Sequence, residues 1–284
     1  MSLSETQINA YRTDGFFTPQ RALSKDAADY YRDRFLSFEA SDQAKSMADR
    51  HKDVYLFKPH LILKWVDELI HEPGLLDLAE SLVGPDIMCW SAGNFQKAPQ
   101  TPNYVSWHQD AVYYGLAPVD HVVRIWVALS TARVENGTLV YARGAHRLGL
   151  LPHDPTEASD NLLVNNETVR FNADDYEEVP VILDPGEVAV HHLHMPHASG
   201  PNRSDKWRIN LVVTYLSPDV RQSHGPDSTL LVRGRDDFGS FEAETRPDAD
   251  FSPTASETHR RAMDLRRGIF ATAAAKYAAA ENRQ

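Results

Sequence analysis

Along the first 85 residues, apolar side chains recur every three or four positions, the spacing that places them on one face of a helix. Ser24 stands as a cap ahead of residues 25–35, and Tyr31, Phe35 and Phe38 form the stripe such a helix turns toward a core. A second pair of helices is predicted over roughly 60–83. Leu63, Val66, Leu69, Leu75, Leu78 and Leu82 supply its apolar face, Gly74 divides the pair, and Gly84-Pro85 stops it. From residue 86 the texture changes. Residues 87–90, 122–129, 138–141, 187–192 and 208–215 are short β-type runs, separated by turn residues such as Asn136-Gly137, Arg143-Gly144 and Pro185-Gly186. Asn-Gly between two such runs is a hairpin signal. Short strands at these intervals indicate a sandwich, barrel or jelly roll. Residues 151–180 form a polar stretch longer than an ordinary connection, as functional lids do. Residues 216–258, rich in Asp, Pro, Ser and Gly, are expected to wrap the surface, and 257–280 return to helix.

Composition narrows the function classes. A chain of 284 residues suits one large domain or a barrel with helical decoration. It holds no apolar run near the roughly 20 residues of a membrane span, and its start lacks the pattern of a signal peptide, so a cytoplasmic protein without membrane contact is expected. Cys89 is the one cysteine, which excludes disulfides within the chain and cysteine-based zinc clusters; it reads as a buried small hydrophobe. A net charge of −11 argues against nucleic acid as a partner. It leaves room for a small anion, because one buried arginine can hold a carboxylate whatever the global charge.

The chemistry concentrates in two segments. In Trp107-His108-Gln109-Asp110 on a strand, His108 and Asp110 point to the same side and can reach one metal ion, while Gln109 points away. His197 follows about ninety residues later, and two histidines with one carboxylate are the donor set of an iron(II) site whose opposite face stays open. Among 13 histidines, an isolated His-x-Asp carries little weight. Arg208 and Ser199 strengthen it. A 2-oxoglutarate co-substrate that chelates iron by its keto-acid end presents a far carboxylate. A guanidinium grips such a group through two parallel hydrogen bonds, and the Ser199 hydroxyl can add a third. His194 competes with His197 as a ligand, but the serine and arginine spacings fit His197.

Further motifs extend these two segments. They are Tyr11-Arg12-Thr13-Asp14-Gly15-Phe16-Phe17, Phe95-Gln96-Lys97-Ala98-Pro99, Glu135-Asn136-Gly137-Thr138-Leu139, Arg143-Gly144-Ala145-His146 and the run from His197 to Ser204. Together they resemble the phytanoyl-CoA dioxygenase family of iron(II)- and 2-oxoglutarate-dependent oxygenases, over nearly the whole chain. The resemblance implies a mainly β fold, a double-stranded β-helix or cupin-like jelly roll with N-terminal and C-terminal helices. It implies a single domain over 1–284, with a helical part over 1–85, the jelly-roll core over 86–216 and a surface wrap with a final helix over 217–284. It implies iron(II) on His108, Asp110 and His197, and 2-oxoglutarate on Arg208 and Ser199. Trp126, eighteen residues after His108, would lie beside the co-substrate, and Lys97 would line the site.

In the related halogenases the carboxylate ligand is replaced by Ala or Gly. Asp110 therefore favours hydroxylation over chlorination. The expected reaction is hydroxylation of an unactivated C–H in a small polar metabolite, consuming O2 and releasing succinate and CO2. Desaturation, cyclisation or epoxidation would need the same ligands, and a non-catalytic jelly-roll binding protein is the alternative from another class. Tyr113, Tyr114 and Trp90 are the expected substrate contacts. Monomer and homodimer both remain open.

Overall fold

The computed structural model describes residues 2–42, 44, 57–94, 96–163 and 167–281. Its strands are β1 (Phe16–Arg21), β2 (Ile87–Asn94), β3 (Val105–His108), β4 (Leu116–Ala117), β5 (Val122–Ala128), β6 (Leu139–Ala142), β7 (His153–Pro155), β8 (Glu167–Val169), β9 (Glu178–Pro180), β10 (Glu187–His191), β11 (His197–Ser199), β12 (Asn210–Leu216), β13 (Arg221–Gln222), β14 (Ser228–Arg233) and β15 (Glu242–Ala243). The larger sheet has the order β1-β10-β5-β12-β2-β14-β15, and the smaller has β3-β11-β6-β9. Its helices are α1 (Glu5–Asp14), α2 (Lys25–Glu39), α3 (Lys64–Ile70), α4 (Pro73–Val83), α5 (Ala111–Tyr114) and α6 (Pro253–Glu281).

The central strand β5 explains the layering. All seven of its residues are buried. Val123, Ile125 and Val127 pack with residues of α2, α3 and α4, including Phe35, Trp65 and Leu78. Trp126 and Ala128 leave the opposite face and pack with Leu139 and Tyr141 of the smaller sheet. A strand covered on both sides reads as a continuous apolar run, not as an alternation. The result is a jelly roll with helices against the outer face of its large sheet and the site between its two sheets.

Local signals set the helix boundaries. The Ser24 hydroxyl accepts from the Ala27 backbone N–H at 3.1 Å and starts α2, whose buried residues include Tyr31, Phe35 and Phe38 as the spacing predicts. The break between α3 and α4 falls at His71-Glu72, ahead of Pro73, and not at Gly74. Gly74 sits in the first turn of α4, where a Cβ would meet the Ala22 carbonyl oxygen at 2.0 Å; its role is close approach.

Three expectations about extent change. The first 85 residues are not only helical, because Phe16-Phe17 open β1, which pairs antiparallel with β10. The wrap after 216 is not only surface, because β14 enters the large sheet beside β2. The polar 151–180 stretch supplies the β7–β8 ribbon and adds β9 to the small sheet. Asn136-Gly137 is also not a hairpin turn: β5 and β6 lie in different sheets, and the turn crosses between them. Among the described residues, no helix is long and apolar enough to cross a membrane.

Candidate active site

β3 and β11 lie side by side, and His108 and His197 are direct cross-strand partners. Side chains so paired leave the same face of a sheet, and here the two imidazole centroids are 4.1 Å apart. Asp110, just past the end of β3, completes the group. Its carboxylate lies 3.9 Å from His108 Nε2 and 3.8 Å from His197 Nε2. One donor atom from each residue lies within 4.8 Å of the others, and all three residues are buried.

The ring orientation is fixed from behind. His108 Nδ1 lies 2.9 Å from the Ser106 carbonyl and His197 Nδ1 lies 2.9 Å from the Met195 carbonyl. A carbonyl only accepts, so each Nδ1 carries the proton and each Nε2 presents its lone pair to the centre. Burial, with the charge of its neighbour His197, lowers the His108 pKa to about 3. Burial lowers His197 to about 4. Burial works to raise the pKa of Asp110, but Arg124, His197 and His191 together hold it below the ordinary carboxylate range. Two neutral imidazoles and one carboxylate therefore face one point at neutral pH, a donor set that fits a divalent metal.

A cavity lined by both sheets opens on this group, with about 370 Å³ of empty space in and at its mouth, open solvent included. Arg208 lies at its wall, 1% exposed, with Nη1 donating to the Gly137 carbonyl at 2.5 Å and Cζ 5.6 Å from the Trp126 ring centroid. Burial lowers its pKa to about 9, so it remains a cation at neutral pH. Gly137 has φ 73°, and a Cβ there would meet the Gly200 carbonyl oxygen at 2.3 Å. The Asn-Gly signal thus marks a tight crossing that aims a carbonyl at Arg208.

Ser199 also lines the cavity. Its hydroxyl accepts from Lys97 Nζ at 2.8 Å, which leaves its own proton available to donate. Lys97 does not line the cavity wall. It bridges to Arg208 through the backbone and donates to the Ser199 and Gly200 carbonyls. Burial and the charge of Arg208 lower its pKa to about 6.

Several sequence expectations change at the site. Tyr114 and Trp90 pack together in a buried cluster, ring centroids 4.4 Å apart, and neither lines the cavity. Trp90 Nε1 instead donates to Asp227 at 2.6 Å. The side chain of Tyr113 lies outside the described residues, as does Phe95 of the Lys97 motif. His194 stands apart from the metal-type group; it neighbours His192, which meets Asp120 at 3.1 Å. Gln109 does point away from the centre. Its amide donates to the Gly149 and His194 carbonyls at 2.8 and 2.7 Å and holds two loops behind the site.

Sequence reasoning missed Arg124 and His191, which both line the cavity. Arg124 Nε lies 2.8 Å from Asp110 Oδ2, and its Nη1 donates to the Tyr114 hydroxyl at 2.5 Å and to Thr214 Oγ1 at 3.1 Å. His191 Nε2 approaches Asp110 Oδ2 at 3.3 Å, while its Nδ1 pairs with the Tyr141 hydroxyl at 2.9 Å. A signal was present. Arg124 interrupts the apolar run from Val122 to Ala128, two residues from Trp126 and so on the same face.

The phytanoyl-CoA dioxygenase (PhyH) family matches residues 11–210. Among solved structures, the apo form of the non-heme monooxygenase ThoJ is similar at 35% identity and TM-score 0.85, covering 95% of this chain and 99% of that one. A probable alpha-ketoglutarate-dependent hypophosphite dioxygenase of Stutzerimonas stutzeri is 27% identical, over 62% of this chain and 63% of its own. The peroxisomal phytanoyl-CoA dioxygenase of Homo sapiens is 29% identical, over 52% of this chain and 44% of its own. The chain thus spans less than two thirds of these two curated relatives.

Proposed function

The chain belongs to the phytanoyl-CoA dioxygenase family of iron(II)- and 2-oxoglutarate-dependent oxygenases, and from that premise we propose that it hydroxylates an unactivated C–H of a small polar metabolite, with release of succinate and CO2. His108, Asp110 and His197 hold the iron. Arg208 and Ser199 hold the far carboxylate of 2-oxoglutarate, and the full chain acts as one domain. The observation that carries this reading is one cavity lined by His108 and His197 of the buried His-Asp-His group together with the buried Arg208 guanidinium and the Ser199 hydroxyl.

When bound, iron(II) with 2-oxoglutarate supplies the oxidising chemistry, converting the co-substrate to succinate and CO2. The protein contributes position and environment. The carbonyls of Ser106 and Met195 keep both Nε2 atoms unprotonated and aimed. Arg208 accepts a carboxylate that cancels its own buried charge, and Ser199 donates beside it. Trp126 supports Arg208 from below. Val105, Leu139 and Val212 complete the wall with apolar surface, which limits water and strengthens each charge interaction inside. Asp110 fills the position that a halide needs, which favours oxygen insertion over halogen transfer.

The test is anaerobic addition of iron(II) and 2-oxoglutarate. The weak visible charge-transfer band of the chelate is expected, and admitting air should yield succinate. A protein that binds neither additive would sink the reading.

A further inference from the structure

His191 of β10, Arg124 of β5, Thr214 of β12 and Ser91 of β2 are successive cross-strand partners. They form one polar row across four strands, on a single face of the large sheet. That face is the cavity's, since His191 and Arg124 line it with Trp126. Arg124 lies beyond Trp126 on β5, on the side away from Arg208. Its register partner Thr214 is six residues along the chain from Arg208, roughly 20 Å of extended backbone. The two guanidiniums therefore mark different ends of the same space.

Charge gives this arrangement a consequence. In the present structure Asp110 balances Arg124. A carboxylate that ligates a metal shares its charge with the ion. At the loaded site Asp110 contributes one negative charge, Arg124 and Arg208 one positive each, the divalent metal two positive and 2-oxoglutarate two negative. One positive charge is left over, and Lys97 can only add to it. Behind Tyr114, the buried Arg266 feels the opposing charge of Asp227, so the surplus stays with Arg124. A surplus charge on a buried side chain is costly until an anion meets it. The hydrogen bonds of Arg124 to Tyr114 and Thr214 hold the guanidinium in place, and its third nitrogen has no hydrogen bond among the described residues. A planar fork so held matches an oxyanion.

We propose that Arg124 anchors an anionic group of the substrate, so that the oxidised C–H belongs to a small metabolite carrying a carboxylate, phosphonate or phosphate. This rests on the dioxygenase reading of the same site, and names the substrate class and the residue that selects it.

The experiment uses the full chain, loaded anaerobically with iron(II) and saturating 2-oxoglutarate. Propionate and methylphosphonate are titrated as probes, with neutral propionamide and cationic propylamine beside them. The readouts are perturbation of the chelate band and the melting temperature. The oxyanions should perturb both saturably and the controls should not. Metal-free protein, in which Asp110 still holds Arg124, should bind the oxyanions more weakly. Arg124→Gln should weaken oxyanion binding by about 10- to 100-fold, the loss expected for a charge-assisted contact, and by more than it changes 2-oxoglutarate affinity, which it can reach only through Asp110. Arg124→Lys should fall between the two, and if the glutamine variant does not fold, the lysine variant and the wild-type selectivity decide. The proposal is overturned if oxyanions leave the wild-type band unchanged, if they only bleach it by displacing 2-oxoglutarate, if Arg124→Gln binds them as wild type does, or if that variant loses 2-oxoglutarate instead. Failure to form any chelate band would defeat the dioxygenase reading itself, a result distinct from a band that ignores oxyanions.

Discussion

Replacing Arg208 by methionine separates what this residue costs the fold from what it gives the site. The side chain is fully buried, and burial lowers its pKa from 12.5 to about 9. That difference corresponds to about 5 kcal/mol of unfavourable ionisation in the folded state. The sign is that of a depressed cation: the penalty is complete at neutral pH and is relieved only as pH rises through 9 toward 12.5. Methionine removes the charge and keeps much of the volume. It forfeits the hydrogen bond to Gly137, worth about 1.5–3 kcal/mol for a charged donor, and the contact over Trp126, worth about 0.5–2 kcal/mol. The balance lies between neutral and a few kcal/mol in favour of the variant. Urea denaturation of metal-free protein should therefore show Arg208→Met no less stable than wild type. Calorimetric titration of the metal-loaded variant should show 2-oxoglutarate binding weakened on the order of a hundredfold or more, since truncating one partner of a buried charge pair costs about 2–5 kcal/mol. A variant clearly less stable than wild type, or one that binds 2-oxoglutarate normally, would refute the assignment of Arg208 as a guanidinium that burial disfavours and that serves to hold 2-oxoglutarate.

Two further outcomes follow from the same geometry. Asp110→Ala should destabilise metal-free protein by about 3–5 kcal/mol, because it strands the buried Arg124. Asp110→Ala with Arg124→Met should recover stability in denaturant melts while metal affinity stays lost; no recovery would mean that the ion pair is not the source. The pKa values of His108 and His197, lowered to about 3 and 4, lie below the ordinary 6.5. The unfolded chain thus takes up these protons first as pH falls, so metal-free stability should be greatest above 6.5. It should drop toward pH 4, by at most roughly 1.4 kcal/mol per pH unit for each histidine. Denaturant melts at pH 7, 6 and 5 that gave equal stability would contradict this.

The chain's own order of residues determined a good deal here. Ser24 and the Tyr31-Phe35-Phe38 stripe placed α2, because caps and a 3.6-residue period are local properties. The His-x-Asp spacing named both ligands, but not by the period of a strand: β3 ends at His108, and Asp110 reaches the same centre from the helical backbone conformation that opens α5. Arg208 was recognisable from its distance to His197. Other features were decided only by tertiary structure. β1 and β14 are short segments among helices and turns, and become strands because a neighbouring edge supplies their hydrogen bonds. Tyr114 and Trp90 read as pocket residues from their proximity to the metal motif, yet they pack behind it. Lys97 serves Ser199 through a side-chain contact across about a hundred residues.

Arg124 is the sharpest case. The sequence placed a charge inside an apolar run, but β5 is buried on both faces, so the run alone does not tell which face opens on the cavity. That followed from the register that sets Arg124 between His191 and Thr214 and from Asp110, brought to 2.8 Å by another strand of another sheet. Spacing along one chain fixes which side chains can share a face. Which charges must balance each other in the dry interior depends on residues distant in sequence, and only the folded packing brings them together.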